Sequence, residues 1–391
     1  MADPAGLVHL EETGFPGTHA LVIGIGKYPH LIGGEEQARF TDGMRQLSSP
    51  PVSARAFAEW MIQDYNFPGK QLASLSLLLS EATPRLFLNP KTGQSYDVAI
   101  AGIDSLLTAV QEWKARGNSS PDNRLIFYFC GHGISESDDV ALLAADFNGD
   151  DDNPLNQALD LRQLMLGLNR CQASEQVFFI DACRSSSDTL LSRSGMYAGQ
   201  VPFLPGVRPA EWPRRLSLPY YATLAGEMSH AIPDRVSLFT DALLRGLRGV
   251  GSDNPEEDVW WVNTSRLQEA IHHFMAQPTF AGKLAGVQVP TVRELPVFDL
   301  HQLARPPVVP VYVTCRNPLY NQAADFLCRR GGSLCAERPA AEVDPDDPWA
   351  EWTVDLVFNR YDFEAKVGGD VWLKSMDVRP TYRRVRLAPL P

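Results

Sequence analysis

Two apolar runs constrain this chain more than anything else in it: LIFYFCGHG at residues 125 to 133 and QVFFIDACRSS at 176 to 186. Bulky apolar residues without polar alternation fit a strand covered on both faces, as in mainly parallel sheets with helices above and below. Each run ends in one reactive side chain, His132 or Cys183, where strand should give way to loop. In open α/β sheets chemistry gathers at those strand ends.

The rest of the chain repeats the same strand-then-helix order. HALVIGIGKY (19 to 28), LASLSLLLS (72 to 80), ALLAADF (141 to 147) and YYATLAG (220 to 226) read as further strands. Helices are expected from Val52 through SARAFAEWMIQDY, over 100 to 117, 159 to 171, 237 to 249 and 264 to 277. The GIG after the first strand lacks the remaining glycine turn of a dinucleotide site. About six strands in a central, mainly parallel sheet define an α/β fold over 18 to 280. Prolines around 290 to 310 suggest a linker at 281 to 304, and VVPVYVTC, WTVDLVFNRY and VWLKSMDV make 305 to 391 a small β-rich or α+β domain.

With 47 acidic and 35 basic side chains, the formal charge is -12, so direct nucleic-acid binding is not expected. No apolar stretch reaches spanning length and the first residues do not resemble a secretory leader, so the expectation is no membrane and a cytoplasmic protein. Cys130 and Cys171 should be buried free thiols, and the spacing of Cys315, Cys328 and Cys335 does not suit structural zinc. His272 and His273, adjacent on a helix, share no face and suggest no metal site.

A free thiol, with a pKa of about 8.5, is only a few per cent thiolate at neutral pH, so a nucleophilic Cys183 needs an imidazole beside it. His132, 51 positions upstream, supplies one. Flanking glycines let a substrate approach, and the amides of Gly133 and Cys183 become candidates for stabilising an oxyanion. Such a dyad would attack a carbonyl, protonate the departing amine and release the acyl group to water.

The DACRS motif with an upstream GHG resembles the caspase and metacaspase superfamily of cysteine endopeptidases, in which histidine precedes cysteine by about 50 residues. The likeness runs over about 18 to 280 and includes YFCGHG, IDACRS, YATLAGE and SLFTDALLRGL. It implies a three-layer caspase-like sandwich, with His132 as general base and Cys183 as nucleophile. Asp181 stands where metacaspases place an aspartate of a basic-selective S1 pocket, which implies cleavage after Arg or Lys. Ser53, in VSA, stands where metacaspases carry a second aspartate, so Asp138 or Asp139 becomes a candidate replacement.

The stretch from 136 to 160 has eight acidic residues and no Lys or Arg, which suits a solvated loop or a strip attracting basic substrate. Within it Asp146, Asn148 and Asp150 begin like a calcium loop, but Asp151 replaces the turn glycine and Gln157 the closing glutamate. Calcium is therefore a candidate cofactor, not a required one. The corresponding caspase linker is cut on activation, so Arg193, Arg214 and Arg215 are candidate self-cleavage sites and the chain a candidate zymogen. Trp260 and Trp261 fit either a peptide groove or ordinary packing.

The expected partners are a protein or peptide substrate and a regulatory protein bound through the C-terminal domain. Bacterial relatives of this type serve regulated proteolysis, cell suicide or antiviral defence. The competing readings are a transferase or hydrolase acting on a small acyl group and an inactive scaffold.

Overall fold

The computed structural model describes residues 3, 5–11, 16–136, 139–150, 152–182, 199–222, 234–256, 259–276, 296–344, 347 and 349–388. They form two compact units, Met1–Leu244 with Ile271–Val297, and Arg245–Ala270 with Phe298–Pro391.

The first unit opens with β1 (Leu7–Leu10), β2 (Thr18–Ile25), α1 (Ser49–Gln63) and β3 (Leu72–Ser80). Short β4 (Phe87–Leu88), β5 (Ser95–Tyr96) and β6 (Ala99–Ile100) precede α2 (Ile103–Gly117) and β7 (Arg124–Gly131). Then come β8 (Gly133–Glu136), β9 (Asp139–Leu143), β10 (Ala158–Asp160), α3 (Leu161–Gly167), β11 (Glu175–Ala182), β12 (Leu216–Tyr221) and α4 (Leu238–Arg245). The main sheet runs β1-β3-β2-β7-β11-β12, with β6 beside β3. Its strands are parallel except for β1.

β2, β3 and β7 are buried at every position, as their predominantly apolar sequences suit. The core joins Leu21, Ile23, Phe127, Phe129 and Phe178 to Leu106 and Trp113 of α2. α1 starts at Ser49, ahead of the expected Val52, because Pro50 and Pro51 occupy its first turn, where no amide hydrogen is needed. Gly24 and Gly26 permit that helix and the residues before it to lie close: a Cβ on Gly24 would meet the Ala54 Cβ at 2.5 Å, and one on Gly26 the Leu47 oxygen at 2.2 Å and the Pro51 ring at 3.0 Å. The expected strand at 141 to 147 is instead β9 followed by a turn, and β8, β9 and β10 form a separate antiparallel sheet.

In the second unit β13 (Ser252–Glu256), β14 (Val259–Asn263) and β15 (Asp299–Gln302) make one sheet, with α5 (Thr264–Met275) beginning after β14. The remaining strands are β16 (Val308–Cys315), β17 (Asp325–Arg330), β18 (Ser333–Arg338), β19 (Trp352–Val357), β20 (Asn359–Val367), β21 (Asp370–Val378) and β22 (Arg383–Leu387). They pair as β19-β16-β22 and β18-β17-β20-β21 around Val311, Val313, Phe326, Phe363, Trp372 and Val385. The C-terminal region is thus rich in strands, as its composition suggests. Residues 299 to 302, placed in the expected linker, form β15, and Arg245–Ala270 pack with this unit.

Candidate active site

β7 and β11 are paired in register from Arg124 opposite Glu175 to Gly131 opposite Ala182. His132 is the next residue after β7. Cys183, the next after β11, lies outside the described residues, as do Asp138 and Arg193.

His132 is gripped from its ring and from its backbone. Its Nε2 lies 2.7 Å from the Arg45 carbonyl oxygen, and its backbone N–H donates to the Tyr28 hydroxyl at 2.9 Å. A carbonyl can only accept, so Nε2 carries the hydrogen and the neutral ring presents its lone pair at Nδ1. Burial lowers the imidazole pKa, and the bond to Arg45 opposes that shift. The Tyr28 ring packs on the imidazole with centroids 4.9 Å apart.

Gln46 locks Tyr28 in turn. Its side-chain oxygen accepts from Tyr28 N at 2.7 Å, while its nitrogen donates to the Tyr28 and Ile32 carbonyls at 2.8 and 3.2 Å. Tyr28, Arg45 and Gln46 escaped the sequence reading because they sit in the irregular stretch between β2 and α1. The only available signal was an aromatic followed by proline directly after a buried strand.

Asp181 is 3 % exposed and lies in a polar cluster. It accepts hydrogen bonds from the hydroxyls of Ser237 and, at 2.8 Å, Thr240. The Thr240 hydroxyl also lies 2.6 Å from that of Tyr128. Ser53 joins the same cluster, its Oγ accepting from Ser237 N at 2.9 Å. The Cys130 thiol stands opposite Asp181 in the sheet, and burial, together with the nearby Asp181 carboxylate, pushes its pKa well up. Of the four residues considered for S1, Ser53 and Asp181 are brought together through Ser237, a link the sequence did not reveal, whereas Asp139 pairs with Arg162 and Asp138 lies outside the described residues.

Gly133 is buried and opens β8 opposite Leu142. Asp139 pairs with Arg162 at 2.9 Å. Arg214 is exposed, whereas the Arg215 guanidinium donates to the Met165 carbonyl at 2.5 Å and lies 3.4 Å from the Gln176 side-chain oxygen.

The three calcium candidates have separate engagements. Asp146 accepts from Ile103 N at 3.0 Å, Asn148 donates to the Phe40 carbonyl at 2.7 Å, and Asp150 accepts from Asp152 N and Asn153 N at 3.0 and 3.1 Å. Among the described residues no group of three or more His, Cys, Asp or Glu could hold a metal ion. Cys130 and Cys171 are buried and free. Trp260 is packed within the second unit, 4.6 Å from Phe358 by ring centroids.

The chain belongs to the caspase-domain family of cysteine peptidases, peptidase family C14, whose model matches residues 18–292. It is 29% identical over 204 residues to an uncharacterized protein of Sinorhizobium fredii, covering 52% of this chain and 58% of that one. It is 32% identical over 184 residues to a probable protease of a Desulfuromonadales bacterium, covering 42% of this chain and 21% of the relative. The chain thus spans 58% and 21% of the lengths of these two curated relatives. Among solved structures, caspase-1 from Spodoptera frugiperda matches with a TM-score of 0.40 at 14% identity, covering 71% of this chain and 86% of that one. No helix among the described residues is long and apolar enough to cross a membrane.

Proposed function

We propose that the chain is a cysteine endopeptidase in which Cys183 attacks a peptide carbonyl and His132 Nδ1 accepts and returns the proton. The observation that carries this reading is the clamp on His132: an acceptor on Nε2 leaves the basic nitrogen on the other side of the ring. The register supports it, because Gly131 and Ala182, the residues that precede His132 and Cys183 in sequence, lie opposite each other in the sheet. The amides of Gly133 and Cys183 would then face the developing oxyanion.

Cleavage after Arg or Lys is the specificity we favour. Asp181 and Ser53 share one cluster, and a carboxylate that gains a guanidinium partner offsets part of its desolvation. Self-cutting would favour exposed Arg214 over Arg215, whose guanidinium is already held. Activation by calcium would require rearrangement of Asp146, Asn148 and Asp150, so the expected result of EGTA treatment is unchanged turnover.

Covalent labelling with peptide warheads tests the reading. P1-Arg should label wild type and spare Cys183→Ala, and P1-Asp should react far more slowly. Labelling by neither, before and after limited cleavage between 184 and 217, would favour a catalytically inactive scaffold.

A further inference from the structure

The loop that holds His132 also walls two neighbouring pockets in the first unit. One, of about 330 Å³, is lined by Lys27 and Pro29, the neighbours of Tyr28. The other, of about 650 Å³, is lined by Gln46 and Leu47, which follow Arg45, and shares Lys27, Glu81 and Arg85 with the first. Gln46, which lines the larger pocket, binds the backbone N–H and carbonyl of Tyr28 and follows Arg45 in sequence, so one wall of the pocket is bonded to both residues that contact the histidine.

The lining has a definite chemistry. Its charged residues are Glu35, Glu81, Asp97, Asp146 and Asp234 against Lys27 and Arg85. Lys27 pairs with Glu35 at 2.7 Å, and Glu81 is held by Arg55 at 2.7 Å with Arg85 at 3.8 Å. Asp97, Asp146 and Asp234 have no Lys or Arg in ion-pair range among the described residues. The smaller pocket adds apolar walls from Leu79, Pro84, Leu86, Val98 and Ile100. Leu86 and Ile100 are 60% and 67% exposed, so two large aliphatic side chains of this lining face solvent.

We propose that these pockets bind an extended peptide segment carrying basic and aliphatic residues, and that its binding steadies the loop and raises turnover at His132. The aliphatic side chains rest on Leu86 and Ile100, and the cations face the three aspartates. The effect on turnover rests on the endopeptidase reading; the binding does not.

The test uses a fluorescein-labelled peptide of alternating Lys and Leu with N-methylated, uncleavable bonds after each Lys, its Glu-Leu counterpart, and the full chain as Cys183→Ala for binding and as wild type for turnover. Fluorescence polarisation should show salt-sensitive binding of the Lys-Leu peptide only, weakened at least tenfold by Asp97→Lys and by Ile100→Ser. With a small P1-Arg coumarin amide as substrate, the peptide should raise kcat. Equal binding by the variants, or by the Glu-Leu peptide, overturns the site. A rise in KM alone means occupation of the catalytic cleft and overturns it as well, while binding with unchanged kcat overturns the coupling. Turnover of the amide without peptide binding removes the site and leaves the peptidase reading intact. Binding without any turnover does the reverse.

Discussion

Asp181 sits at 3 % exposure with two hydroxyl donors, so its carboxylate supports the fold as well as any specificity. The two roles separate by substitution. Asp181→Ala leaves Ser237 and Thr240 without their acceptor and should cost about 2 to 3 kcal/mol in urea unfolding. Asp181→Asn keeps an acceptor, so it should fold and lose at least tenfold of any preference for Arg over a neutral P1 residue in kcat/KM. His19 offers a pH test. It is buried, its Nδ1 lies 2.9 Å from the Ser74 hydroxyl, and burial lowers its pKa to about 4. The unfolded chain, with an ordinary pKa of about 6.5, then binds the proton better, so stability should fall as pH drops from 6.5 towards 4. The loss attributable to His19 is about 2 kcal/mol at pH 5. It should be absent in His19→Gln, as measured by urea titration at pH 7 and 5; equal acid loss in that variant would assign the effect elsewhere.

Among the elements, α1 and β2 depend on one close approach. Gly24→Ala would drive a methyl against Ala54 and against the Pro50 oxygen, 2.7 Å from the new Cβ, and should cost about 1 to 3 kcal/mol. A variant that unfolds at the wild-type urea midpoint would contradict this packing. The buried strands were legible because they are rich in apolar residues and almost free of charge: LASLSLLLS, whose polar residues are only small serines, matches β3 residue for residue. Boundaries set by remote partners were not. α2 begins at Ile103 rather than 100, where the Asp146 carboxylate, 43 residues away, accepts its first amide. WTVDLVFNRY divides into β19 and β20 at Phe358, because those strands enter different sheets, a distinction with no period of its own. In the candidate site, His132 and the pairing of Ser53 with Asp181 could be reached from motifs. Arg45 could not, since it acts through a carbonyl that every residue type shares.

For the whole molecule, the paired tryptophans could be read as core or as groove, and Trp260 takes the core reading through Phe358. Residues 245 to 270 and the C-terminal strands therefore share stability despite their separation in sequence. Phe358→Ala should accelerate amide hydrogen exchange in β14, about a hundred positions upstream, while leaving β7 protected. Unchanged exchange in β14 would show that Trp260 is secured by other neighbours. The division into units has a temporal consequence too. The chain passes between them three times, after Leu244, after Ala270 and after Val297. During synthesis at about 5 to 20 residues per second, the 245 to 270 stretch emerges seconds before its later companions. For that interval the apolar side chains of this segment are without the later strands of their own unit.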